Sequence, residues 1–129
     1  MKPKKFYKTT PFLPVSNLKE TLAYYRDTLG FYEEWTWGEF DGGIRRDDMR
    51  MIFCEDPDYV PVINNETYHF VLIWFVDSVD EIYHEFTQKG ITIAIDIKDE
   101  PWGIREFAFK DINGYLIRVS ESIQKHEPV

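Results

Sequence analysis

The groups from which this chain could build a reactive centre are few: one thiol, Cys54, and three imidazoles, His69, His84 and His126, beside twenty-three carboxylates. A nucleophilic cysteine needs a base beside it, and the sequence around Cys54 carries no signature of one, so Cys54 reads as a strand residue. A divalent cation needs several His, Cys or carboxylate donors converging on one point. His84 falls on a predicted helix and His126 in the tail, which reads both as exposed polar groups. The aromatic side chains offer a different chemistry. Phe, Tyr and Trp make up 17% of the chain, enough to fill a core or line an apolar cavity. Trp35, Trp37, Phe40, Tyr59, Trp74 and Trp102 are the candidates for stacking on a flat conjugated group or attracting a cation, at about 0.5 to 2 kcal/mol per contact. Trp74 lies in the apolar run Phe70 to Val76 and reads as core as readily as pocket. Trp102 stands between Pro101 and Gly103, in a loop where a large ring needs a partner. Arg105 and Glu106 could fix a ligand by paired charge, or form an ion pair that orders a strand.

The elements that must position these residues come in two copies. Val15-Ser16-Asn17-Leu18 with Glu20 and a closing Leu29-Gly30-Phe31 is matched by Val76-Asp77-Ser78-Val79 with Glu81 and a closing Lys89-Gly90-Ile91. Asn17 to Ser78 and Glu20 to Glu81 are both offsets of 61. Each copy spells strand, capped helix, glycine stop, strand, with Asn17 and Ser78 accepting from the first helical turn while Glu20 and Glu81 reach back. The first module is predicted as a strand over Phe6–Val15, a helix over Leu18–Leu29 and strands over Phe31–Gly38, Ile44–Arg46 and Arg50–Glu55. Pro11 and Pro14 suit an edge strand or one that crosses to a partner. Strict alternation would put Phe31, Glu33, Trp35 and Trp37 on one face, and Asp41-Gly42-Gly43 reads as a turn. A connector over 56–66 leads to the second module, with a strand over Tyr68–Val76 and a helix whose stripe is Val79, Ile82, Tyr83 and Phe86. Strands over Ile91–Ile97, Ile104–Phe109 and Tyr115–Val119 follow, the last two joined at Asp111-Ile112-Asn113-Gly114.

Net charge narrows the partners. At −8, the chain repels phosphate backbones and anionic lipid and favours cationic ligands, so nucleic acid is not an expected partner. No apolar run approaches the roughly 20 residues that span a bilayer, so no membrane partner is expected either. One cysteine cannot form an internal disulfide, and the amino terminus lacks the apolar run of a signal peptide, which places the protein as soluble and cytoplasmic. The chain after Ser122 reads as loose.

Two copies of this arrangement, with Asn17-Leu18, Tyr24-Tyr25-Arg26-Asp27 and Leu29-Gly30-Phe31, resemble the vicinal oxygen chelate superfamily of glyoxalases, extradiol dioxygenases and resistance proteins. The run Pro101-Trp102-Gly103-Ile104-Arg105-Glu106-Phe107, followed by Asp111-Ile112-Asn113-Gly114-Tyr115-Leu116-Ile117-Arg118, is similar to the bleomycin-resistance branch. Here Ile112 replaces the family proline and Tyr115 the asparagine. The resemblance implies an α+β fold of two βαβββ modules, residues 1–56 and 67–122, forming a cupped mixed sheet in a single domain over 1–129. It also implies a strand-exchanged homodimer. Metal-dependent members take ligands at positions that map here onto Thr10, Val71 and Arg118, and none of these is a metal donor. No metal or other cofactor is therefore expected. A shifted site would need His69, on the strand face of Val71, with Glu106 or Glu121. The reading that follows is a non-catalytic protein that sequesters a small molecule, bleomycin-type or otherwise cationic and aromatic. Its binding residues would be Trp35, Trp37, Phe40, Tyr59, Trp102, Arg105 and Glu106. The alternatives are a lyase, isomerase or dioxygenase with a displaced metal, or an interaction module whose aromatic face meets protein.

Overall fold

A computed structural model describes Pro3 and residues 5–123; His126 and the chain beyond Ile123 lie outside the described residues. The chain divides into two compact units that meet at Val60 and Pro61, inside the connector expected over 56–66. That connector also holds one helical turn, Val60–Ile63. No helix among the described residues is long and apolar enough to cross a membrane.

The first unit contains β1 (Phe12–Val15), α1 (Leu18–Asp27), β2 (Tyr32–Trp37), β3 (Asp41–Arg46) and β4 (Met49–Glu55). Its sheet has the order β1-β4-β3-β2, with β1 parallel to β4 and the other pairs antiparallel. Pro11 and Pro14 thus belong to an edge, where a missing N–H interrupts no ladder. β1 is shorter than the strand expected from Phe6 and pairs with β4 of its own unit. Leu18, Leu22 and Tyr25 of α1 are buried, as are Leu13, Ile44, Met51 and Phe53 of the sheet. The Tyr25 ring meets Phe31 and Phe53 at 5.3 and 5.1 Å between centroids.

The second unit repeats the plan. After α2 (Val60–Ile63) come β5 (Val71–Phe75), α3 (Val79–Gln88), β6 (Ile93–Glu100), β7 (Ile104–Lys110) and β8 (Leu116–Ser122), in the sheet order β5-β8-β7-β6. Helices α1 and α3 begin and end 61 residues apart, the offset found in the sequence. Trp74 resolves as core: it is buried and its ring meets Phe109. Phe86 and Tyr83 of α3 pack edge-on against Phe109 and Phe107. Complete burial of a ring such as Phe86, Phe107 or Phe109 contributes about 1.5 to 3 kcal/mol. The turn at 111–114 is held by the Asp111 carboxylate, which accepts from the N–H of Asn113 and Tyr115. Gly114 takes φ 84° there. Tyr115, where the related branch has asparagine, is fully buried, so the departure went into the core.

The helix starts differ from the expected pair of capping boxes. Asn17 Oδ1 accepts from Glu20 N at 2.9 Å, but Ser78 makes no side-chain cap. Each helix also receives a carboxylate from the end of its unit's last strand. Glu55 Oε1 accepts from Leu18 N at 2.8 Å, and Glu121 Oε1 accepts from Val79 N at 2.9 Å. Both carboxylates sit at a helix N-terminus, where the macrodipole favours negative charge.

The Asp41-Gly42-Gly43 turn is also corrected. These residues lie inside β3, and the turns flank it at 38–40 and 47–48. The glycines serve close approach instead. A Cβ on Gly42 would lie 2.8 Å from the Trp35 carbonyl oxygen, and one on Gly43 would lie 2.7 Å from the Trp35 indole.

Candidate functional site

In each unit one helix covers one face of the sheet, and cross-strand register identifies what stands on the other. In the first unit Gly42 contacts Leu18 and so faces α1. Residues in register with Gly43 face away: Trp35 from β2, Ile52 from β4 and, through Ile52, Phe12 from β1. One step along the sheet, Trp37, Asp41, Cys54 and Pro14 share this face. Trp35 is 42% and Trp37 77% exposed. Two indoles two residues apart thus stand on a helix-free face.

That face does not include Phe31, contrary to the alternation expected from the sequence. Glu33 has φ 53°, and the β2–β3 register shifts between Tyr32 and Trp35. This bulge inserts an extra residue and reverses the parity of the strand. Phe31 is consequently buried against Tyr25, whereas the tryptophans emerge on the opposite side. The Glu33 carboxylate meets Arg45 Nε, from the Asp41 and Gly43 row of β3, at 2.7 Å, which holds it below its ordinary pKa. Phe40 lies in the following turn and Tyr59 beyond β4; both are exposed.

Asp41 is the polar group of this face that the sequence reading missed. Its Oδ1 is buried and has no hydrogen-bond partner among the described residues. The Cys54 thiol is raised above its ordinary pKa, first by hydrogen bonding to Asp41 and then by burial. Such a thiol is a poor nucleophile.

In the second unit the expected binding residues separate. Trp102 is exposed in the turn between β6 and β7. Arg105 and Glu106 are neighbours on one strand and therefore point to opposite faces. Arg105 is in register with Asp99 and Glu121, on the α3 side. It binds Asp80 through Nη2 at 3.0 Å and Asp99 through Nη1 at 2.9 Å. These carboxylates raise Arg105 and Arg105 lowers Asp80. Glu106 is in register with Ser120 on the helix-free face. Its Oε1 accepts from Arg118 Nε at 3.1 Å and Nη2 at 2.7 Å, and its Oε2 from Ser120 Oγ at 2.8 Å. Arg118 and Ser120 were not singled out as partners of Glu106. Counting outward from a 111–114 turn would set Glu106 opposite Val119; the connection takes 111–115, and that one extra residue sets Glu106 opposite Ser120.

The donor chemistry does not fit a metal. A hydroxyl at Thr10, an isopropyl group at Val71 and a guanidinium at Arg118 offer no set of anionic or imidazole ligands. Among the described residues no three His, Cys, Asp or Glu side chains group as a metal site. For the shifted site, either carboxylate offered beside His69 already holds partners, Glu106 the Arg118 guanidinium and the Ser120 hydroxyl and Glu121 the Val79 N–H. His69 Nδ1 donates to the Gly114 carbonyl at 2.8 Å.

Two βαβββ units, each a four-stranded mixed sheet with one long helix, define a paired-module α+β protein. The model of the Glyoxalase/Bleomycin resistance protein/Dioxygenase superfamily matches residues 9–119, and the chain belongs to that superfamily. Among solved structures it is similar to a bleomycin resistance determinant encoded on the transposon Tn5, with TM-score 0.77 and 23% identity over 92% of this chain and 100% of the other. A bleomycin-binding protein from bleomycin-producing Streptomyces verticillus, complexed with copper(II)-bleomycin, gives TM-score 0.71 and 21% identity over 95% and 100%. Lactoylglutathione lyase from Agrobacterium tumefaciens gives 0.70 and 17% over 93% and 96%. Likeness at these identities speaks for the fold. Comparison with curated protein sequences gives no match.

Proposed function

We propose that this protein binds and sequesters a small, flat, cationic molecule without transforming it, as a cytoplasmic homodimer in which residues 1–129 act as one domain. The observation that carries the reading is the pair Trp35 and Trp37, exposed on a helix-free face beside the unpartnered oxygen of Asp41. Aromatic rings with a carboxylate nearby attract a positively charged conjugated group. The net charge of −8 adds a long-range field of the same sign preference. Phe40 and Tyr59 are the further aromatic contacts offered by the first unit, and Trp102 is the aromatic candidate of the second. Arg105, bound to Asp80 and Asp99, serves to fix the second sheet, and Glu106 holds Arg118 and Ser120. Large apolar residues left exposed, Phe12 and Phe75 among them, support association with a second copy. Bleomycin-type compounds are the first ligands to test, since related folds include a resistance determinant and a bleomycin-binding protein. Protection would be mass action, because a bound compound cannot reach its target.

Titration of the full chain with bleomycin, followed by calorimetry and tryptophan fluorescence, tests this reading. Saturable quenching that is lost in Trp35→Leu and Trp37→Leu supports it. Absence of heat and quenching removes bleomycin as the ligand, and stoichiometric metal in protein purified without chelator overturns the non-catalytic reading.

A further inference from the structure

The second sheet carries a polar group whose construction exceeds what holding two strands together requires. Glu106 is only 8% exposed, on a sheet face that no helix of its unit covers. A carboxylate in that position needs its oxygens satisfied, and both are: Oε1 by two guanidinium N–H groups of Arg118, Oε2 by the Ser120 hydroxyl. The clamp uses one edge of the guanidinium, Nε with Nη2. The other edge, Nη1 with the outer N–H of Nη2, has no protein partner among the described residues, and the Arg118 side chain is 31% exposed. A planar guanidinium has two such edges, each matched to two carboxylate oxygens. With the first edge fastened, the second is already oriented, so little further side-chain entropy is lost when an anion docks on it.

The neighbours of this free edge are apolar. Ile73 of β5 is in register with Arg118 on one side and Ala108 of β7 on the other. Val71 and Phe75, two residues either side of Ile73, share its face and are exposed. Glu106 balances the charge of Arg118, and the chain as a whole is strongly negative. A dianion such as phosphate finds little net attraction there, whereas a monoanion attached to an apolar body gains from both the fork and the flanking side chains.

We propose that the Arg118 fork, held by Glu106 and Ser120 on the helix-free face of the second sheet, binds the carboxylate of a small apolar acid. Arg118 is the contact residue, and Glu106 and Ser120 are positioning residues. The inference concerns the second unit alone and does not rest on the cationic-ligand reading.

The full chain is titrated with 1-naphthoate, 1-naphthamide and inorganic phosphate, followed by calorimetry and by the arginine Nε–H resonances of 15N-labelled protein. The expected result is that naphthoate binds at least about tenfold more tightly than either other probe and shifts the Arg118 resonance. Arg118→Lys keeps a cation against Glu106 but loses the fork, so it should retain the fold while losing about tenfold in naphthoate affinity with naphthamide unchanged. No naphthoate binding, equal binding of naphthoate and naphthamide, tighter binding of phosphate, or full naphthoate affinity in a folded Arg118→Lys protein would each overturn the proposal. Bleomycin binding is read at the tryptophans and naphthoate binding at Arg118, so failure of one leaves the other standing.

Discussion

Gly42 and Gly43 are consecutive, both buried and both crowded by Trp35, yet alanine at the two positions should act differently. At Gly42 the new Cβ would meet the Trp35 carbonyl oxygen at 2.8 Å and Leu18 Cδ1 at 3.3 Å. The first is backbone of a paired strand and the second is core, so neither yields without moving the sheet. Overpacking of this kind costs about 1 to 3 kcal/mol. Removing a strand glycine returns about 0.5 to 1 kcal/mol, which leaves a net loss centred on about 1.3 kcal/mol and of about 2.5 kcal/mol at most for Gly42→Ala. An unfolding entropy of roughly 2.1 cal/mol/K per residue over 129 residues converts 1 kcal/mol into about 4 °C, so Tm should fall by about 5 °C and by no more than about 9 °C. At Gly43 the Cβ meets only indole atoms of Trp35, at 2.7 to 2.8 Å. That ring is 42% exposed and can rotate outward, so the strain and the glycine gain nearly cancel and Tm should stay within about 2 °C. The displaced indole should emit at longer wavelength, and aromatic ligands should bind more weakly. Melting curves by circular dichroism and by tryptophan emission on both variants decide the matter. Equal losses of Tm, or an unchanged Trp35 environment in Gly43→Ala, would refute the reasoning.

Other outcomes follow from the caps and the titrating groups. Glu55→Ala and Glu121→Ala should each lose about 1 kcal/mol in denaturant unfolding, since each leaves a first-turn N–H without its carboxylate. Asp80 is lowered from its ordinary 3.8 by Arg105, so its stabilisation is complete above that value and is lost as pH falls through the folded pKa. The acid limb of a stability profile should therefore flatten in Asp80→Asn. Tyr83 is raised above 10.0 by its bond to Asp96, so its share is present below pH 10 and is lost as pH rises through the folded value; Tyr83→Phe should flatten the alkaline limb. Cys54, raised above 9.0, should react with iodoacetamide at pH 8 more slowly than free cysteine, and Asp41→Asn should speed the reaction.

The duplication was legible because it rests on local chemistry repeated at a fixed interval. Helix starts, glycine stops and the apolar stripe of α3 are all decided within one or two turns, and the offset of 61 survives in the fold. What escaped was decided at a distance or by an exception to a rule. Glutamate rarely adopts positive φ, so no propensity pointed to the bulge at Glu33 that separates Phe31 from Trp35 and Trp37. Glycine pairs serve turns and close approach alike, and only the position of the Trp35 ring distinguishes the two at Gly42 and Gly43. The residue types of the site were visible, but their directions were not. Arg105 and Glu106 looked like one charged pair until strand pairing sent them to opposite faces.

The carboxylate caps tie each helix to the far end of its unit in sequence. Glu55 lies 37 residues after the N–H it holds, and Glu121 lies 42 after its own. A ribosome adding about 5 to 20 residues per second needs roughly 2 to 8 s to cross either interval. During synthesis each helix therefore waits for the last strand of its unit before its first turn is secured by that carboxylate. A nascent chain halted before Glu55 would hold α1 with that cap missing, and one halted between Glu55 and Glu121 would have completed the cap of one unit and not the other.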